Sequence, residues 1–82
     1  MKLVRISSMW CTSCIVTKGD WDNIKENYEY EEYDYDMDED KVKEFDVGKI
    51  LPVIIIFKDN KEVLRIVGEK KKAEIEKMLG EL

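Results

Sequence analysis

Apolar positions along this chain recur with a period that changes several times, and each change marks a separate element. Leu3, Val4 and Ile6 lie in a short β-favouring run from Leu3 to Ser8 that a polar break follows, which predicts a buried strand. From Cys11 the period becomes three and four. Cys14, Thr17, Trp21, Ile24 and Tyr28 then share one stripe, predicting a helix of about four turns with Trp21 in the core. Gly19 lies inside that helix and is expected to weaken or bend it. Between Glu32 and Asp38 acidic residues alternate with Tyr33, Tyr35 and Met37, the period of a strand with one wet face, placed at about residues 31–36. Two readings fit this acidic, tyrosine-rich run: a docking surface for a basic partner, or an edge strand whose charge blocks edge-to-edge association.

Asp38 is positioned to cap a short helix through Val42 and Phe45, with Glu39 and Asp40 at its positive end and Gly48 as its stop. Pro52 to Phe57 is a continuous apolar run after the proline, the mark of a strand buried on both faces. Lys58-Asp59-Asn60-Lys61 supplies turn chemistry, with Asn60 suited to positive φ, and Glu62 to Val67 completes a hairpin. After Gly68, Ile75, Met78, Leu79 and Leu82 recur at helical spacing opposite Lys and Glu residues, describing an amphipathic closing helix. The expected order is β-α-β-α-β-β-α. Right-handed parallel crossovers and an antiparallel final hairpin then give an α/β fold with a four-stranded mixed sheet flanked by three helices.

Eighty-two residues suit one domain, since independent domains need about 50 or more residues each, so residues 1–82 are expected to share one core. Nineteen acids outnumber fourteen basic residues, for a net charge of −5, which argues against a nucleic-acid partner. Charge interrupts the apolar residues of Met1 to Ser7, so no signal peptide or membrane span is expected and the cytoplasm is the expected location.

The two cysteines, Cys11 and Cys14, lie three positions apart, and there is no histidine. A structural disulfide closing so small a loop would stabilise little in a reducing compartment, which points to thiol chemistry. Zinc and iron–sulfur sites also use C-x-x-C, but they need about four ligands, more than two cysteines supply without carboxylates or a second subunit. No metal is therefore expected. At the junction of the first strand and first helix, Cys11 meets unpaired N–H groups and the positive end of the dipole, which favour a thiolate and a nucleophile. One helical turn brings Cys14 within reach but deeper, as the resolving thiol. Trp10, bulky and next to the thiol, is expected to wall the site.

Trp10-Cys11-Thr12-Ser13-Cys14 after a first strand, Leu51-Pro52 opening a buried strand, the hairpin, and Val67-Gly68 before the last helix together resemble the thioredoxin family. The resemblance covers essentially the whole chain. It implies the thioredoxin fold in a short, glutaredoxin-sized form without the additional N-terminal strand and helix. It further implies a thiol–disulfide oxidoreductase reducing protein disulfides, with a redox-active Cys11–Cys14 disulfide and no other cofactor. Substrate contacts are implied at Trp10, Thr12, Ser13, Leu51, Pro52 and Gly68, with Pro52 cis against the sulfurs. The implied partners are protein disulfides and a thioredoxin reductase or similar donor, with no nucleic acid or membrane, acting on a monomer.

The departures from the family are as informative. The buried acid that thioredoxins carry six residues before the first cysteine is Arg5 here, which either lies near the sulfurs and favours thiolate or snorkels to water. Ile15 stands where lysine is usual. A glutathione-dependent, glutaredoxin-like activity is the alternative, against which stand Ile50-Leu51-Pro52 in place of Thr-Val-Pro and a single Gly68 followed by Glu69. A metal-binding or adaptor module on the same fold is the third reading.

Overall fold

In the computed structural model, which describes residues 1–82, the elements follow the expected order with one division. They are β1 (Lys2–Ser7), α1 (Thr12–Val16), α2 (Lys18–Lys25), β2 (Glu29–Asp34), α3 (Glu39–Glu44), β3 (Val53–Lys58), β4 (Lys61–Val67) and α4 (Lys72–Gly80). The sheet order is β2-β1-β3-β4, with β1 parallel to β2 and antiparallel to β3, and with β3 antiparallel to β4. This is the mixed four-stranded sheet that the alternation of strand and helix patterns predicts. The apolar strands β1 and β3 occupy its centre, where both faces need cover.

Two apolar clusters fill those faces. On one, Leu3, Ile54, Ile56 and Ile66 pack under Trp21 and Ile24 of α2 and Ile75 and Leu79 of α4. On the other, Val4, Ile6, Val53 and Ile55 join Val42 of α3, Leu51 and both cysteines. The second face is thinly roofed by the six-residue α3, leaving an open cleft of about 440 Å³ whose walls include Val4, Tyr33, Phe45 and Phe57.

Several boundaries differ from the sequence reading, each for a local reason. The long first helix is broken at Thr17, two residues before Gly19, because Thr17 Oγ1 donates to Ser13 O at 2.6 Å and takes a bond from Arg5. Tyr28 lies beyond its end. β2 starts and stops about two residues early because its register follows β1, from Lys2 opposite Glu29 to Ser7 opposite Asp34. Asp34 Oδ1 then accepts the N–H groups of Asp36 and Met37 and turns the chain out of the sheet. Asp38 flanks α3 without capping it, its carboxylate being taken by the Asp34 N–H, and Asp46 rather than Gly48 adopts the left-handed conformation after the helix (φ 52°). In the hairpin Asp59 and Asn60 both have positive φ, as a two-residue turn matched to strand twist requires. Leu82 falls outside α4 and is 37% exposed.

The closing helix therefore rests on Ile75 and Leu79. Ile75→Ala is expected to cost about 2–5 kcal/mol in urea unfolding of the reduced protein, and Leu82→Ala less than about 0.5 kcal/mol. Equal costs would place Leu82 in the core.

Candidate active site

β1 ends at Ser7, and the chain turns through Ser8, Met9 and Trp10 into α1, so Cys11 arrives as the N-cap residue. Its side chain serves the cap. Cys14 N–H donates to Cys11 Sγ at 3.2 Å, and Cys11 O accepts from Cys14 and Ile15 N–H at 3.1 and 3.2 Å. A backbone donor thus faces the Cys11 sulfur at the N-terminus of α1. Both cysteines are free thiols. Cys11 is 8% exposed and Cys14 3%, so the expected difference in depth is present but small and the nucleophile candidate is itself largely covered.

Burial pushes the Cys14 thiol up to about 11, and its hydrogen bond with Cys11 adds to the shift, while the Ser8 backbone and Arg5 pull the other way. One sulfur faces helix-terminal donors and the other is held as a thiol at neutral pH. Such a division suits two-step disulfide exchange.

The remaining sequence candidates fall into three groups. Leu51 packs with both cysteines in the second core cluster. Pro52 is buried, its bond to Leu51 is cis, and its carbonyl accepts the Gly68 N–H at 2.8 Å, so the segment before β3 is tied to the end of β4. Gly68 holds φ 87°, a conformation costly for other residues, and a Cβ there would meet Ile50 Cγ2 at 3.4 Å. Thr12 is exposed and Ser13 half-buried in the first turn of α1. Trp10 stands 60% exposed, its Nε1 donating to Asp36 Oδ2 at 2.6 Å and its ring edge-on to Tyr35 at 6.0 Å. It is a surface residue next in sequence to Cys11, not a core one.

Sequence reasoning missed several neighbours. Ser8 Oγ is buried beside the pair without a hydrogen-bond partner. Asp36 orients Trp10, and only its place in the acidic alternation hinted at a role. Met9 and Ile50 are exposed on the segments leading to Cys11 and to Leu51-Pro52. Arg5 does not snorkel. It is 4% exposed, donating to Cys14 O at 2.8 Å and Thr17 Oγ1 at 3.4 Å, with its guanidinium carbon 5.9 Å from the centre of the Trp21 ring.

Of the two readings of the acidic run, β2 is an edge strand. Its carboxylates also have internal partners: Glu31 pairs with Lys2, and Glu32 accepts from Trp21 Nε1 at 2.6 Å and Lys25 Nζ at 3.0 Å. No helix of the chain is long and apolar enough to cross a membrane.

Among solved structures, the reduced thioredoxin pre-protein of Schistosoma mansoni superposes with a TM-score of 0.85 at 22% identity, over 98% of this chain and 76% of that one. Thioredoxin 1 of Thermosipho africanus gives 0.87 at 18% identity, over 99% and 92%. A thioredoxin of Nicotiana alata gives 0.86 at 28% identity, over 98% and 70%. No curated protein sequence matches significantly. The sequence model of the thioredoxin family matches residues 1–81, nearly the whole of a chain whose strand order and paired cysteines follow the thioredoxin pattern. The chain belongs to the thioredoxin family.

Proposed function

We propose that the protein reduces protein disulfides through the Cys11–Cys14 dithiol, with no cofactor beyond that redox-active pair. The observation that carries this reading is the asymmetry of the two thiols. Cys11 Sγ sits at the helix N-terminus under a backbone donor, and Cys14, one turn on, is buried with its thiol pushed up to about 11. Family membership supports the thiol–disulfide oxidoreductase class.

In the forward step the Cys11 thiolate attacks one sulfur of a substrate disulfide, forming a mixed disulfide and releasing one substrate thiolate, which takes a proton from water. Cys14 then loses its proton to solvent and attacks Cys11 Sγ. The Cys11–Cys14 bond forms, the bond to substrate breaks, and the second substrate thiolate leaves. Two electrons pass from the dithiol to the substrate. A thioredoxin reductase or similar donor then returns the disulfide to the dithiol.

Substrate peptide is held by Trp10, Thr12, Ser13, Leu51, Pro52 and Gly68 in this reading, with exposed Met9, Ile15 and Ile50 supplying apolar contact around the pair. The thioredoxin matches favour this activity over a glutathione-dependent one. A monomer in the reducing cytoplasm is the setting that suits a dithiol donor.

Cys11→Ser is expected to abolish disulfide reduction, while Cys14→Ser traps a mixed disulfide with substrate. Mass spectrometry after iodoacetamide treatment of the native reduced protein should find Cys11 labelled before Cys14, and the reverse order would exchange their roles. Resolution of the mixed disulfide should accelerate from pH 7 to pH 9, because the raised Cys14 thiol gains thiolate throughout that range. A flat profile would show that Cys14 ionisation does not limit the step. Equilibration with glutathione is expected to give a reduction potential of roughly −200 to −280 mV. A value near −120 mV, typical of a strong oxidant, would reverse the direction of electron flow.

A further inference from the structure

Arg5 is a buried cation with no carboxylate within salt-bridge distance. All eight ion pairs of the structure involve other residues. Its neighbour across the sheet, Glu32, opposes it in register but is engaged by Trp21 Nε1 and Lys25 Nζ. Asp22 of α2, the other acid that acts on it, is held by Lys18 and Lys25. What Arg5 does touch is the back of the cysteine helix, through Cys14 O and the Thr17 Oγ1 that follows it, and the face of Trp21 on α2.

Burying an unpaired guanidinium is costly, and a site that retains one usually supplies an anion. The groups facing Arg5 from the elements packed on it are Cys14 and Cys11 at α1, Glu32 on β2 and Asp22 on α2, the two acids both paired with Lys25. With both acids already engaged by lysines, the unpaired anion this environment can generate is a cysteine thiolate. Cys14 is the nearer candidate, since its own carbonyl accepts from Arg5 at 2.8 Å.

We propose that Arg5 is a positioning residue for the resolving half-reaction: it anchors the Cys14 turn of α1 and provides the counter-charge to the thiolate that Cys14 must form there. The inference rests on the dithiol reading above and assigns Arg5 to its second step. Cys14 loses its proton to solvent, the resulting anion lies within the field of the guanidinium, and attack on Cys11 Sγ closes the intramolecular disulfide as the substrate thiolate departs. Arg5 takes no proton and makes no hydrogen bond to either sulfur. Its effect is to make the buried thiolate less costly. The direction of its influence on Cys14, downward against the upward push of burial, agrees with this.

The test uses the ultraviolet absorbance of the Cys14 thiolate during pH titration of Cys11→Ser protein, in which Cys14 is the sole thiol. Adding Arg5→Met is expected to raise the titration midpoint by about one pH unit or more, a tenfold loss of thiolate at fixed pH, and Arg5→Lys should restore most of it. With both cysteines present and 5,5′-dithiobis(2-nitrobenzoate) as the disulfide, Arg5→Met should slow release of the second thionitrobenzoate about tenfold and slow the first release, which Cys11 drives, much less. A midpoint that Arg5→Met does not move, or that Arg5→Lys fails to restore, overturns the proposal and leaves Arg5 a purely structural donor. Should Arg5→Met fail to fold, the nitrogen resonance of the Arg5 guanidinium in Cys11→Ser protein supplies the same answer. It is expected to shift with the Cys14 midpoint, and a resonance that ignores Cys14 ionisation overturns the proposal. Because Cys11→Ser protein turns nothing over, these titrations read the coupling separately from whether protein disulfides are the substrate.

Discussion

The pairing of β1 between β2 and β3 is the constraint from which the site follows. Held by ladders on both sides, from Lys2 to Ser7 against β2 and from Lys2 to Ile6 against β3, this strand has no freedom of register. A slip of one residue would turn Leu3, Val4, Arg5 and Ile6 to the wrong faces at once. With register fixed, Arg5 must point under the cysteine helix and Val4 and Ile6 toward the cluster that contains the sulfurs. The chain leaves the sheet at a defined place, and Cys11 is delivered to the helix N-terminus. Precision at the thiols is thus inherited from backbone hydrogen bonds several residues away.

The strands were legible because their signals are dense. β3 is a run of apolar residues that no surface element tolerates, and the spacing of Cys14, Trp21 and Ile24 placed one helix face correctly, all three being buried. The errors fall where side chains compete with the backbone. Thr17 back-bonds into the turn before it and breaks a helix that periodicity made continuous, Asp34 turns the chain where the pattern continued a strand to about residue 36, and Asp46 takes the helix-stop role assigned to Gly48. Periodicity reports which face is apolar and is silent about such local bonds. The position of the dithiol was readable from Cys11 and Cys14 themselves. The fate of Arg5 was not, because burial of a cation depends on where Glu32 and Lys25 send their charges, and that is settled only in three dimensions.

The two thiols also belong to the packing. Cys11 and Cys14 are members of the cluster formed by Val4, Ile6, Val42, Leu51, Val53 and Ile55, so their chemistry takes place at the margin of a core. Low dielectric there raises the cost of charge at Cys14 and strengthens the response to a nearby guanidinium, so the same burial creates the difficulty and magnifies its remedy. Trp21 shares this economy of parts: its ring lies against Arg5 while its indole N–H secures Glu32.

The uneven roofing of the sheet bears on motion. α3 spans six residues and buries only Val42, and its ion pairs, Lys43 with Glu39 and Lys41 with Glu44, lie in solvent and are screened by salt. An element held by so little opens at lower free energy than the strands beneath it. Amide exchange is therefore expected to be faster in α3 than in β1 and β3. Val42 belongs to the same cluster as the cysteines, so this short helix and the dithiol share one patch of core. A fold this small thus sets its dithiol between a central strand paired on both sides and a flank held by a single buried side chain.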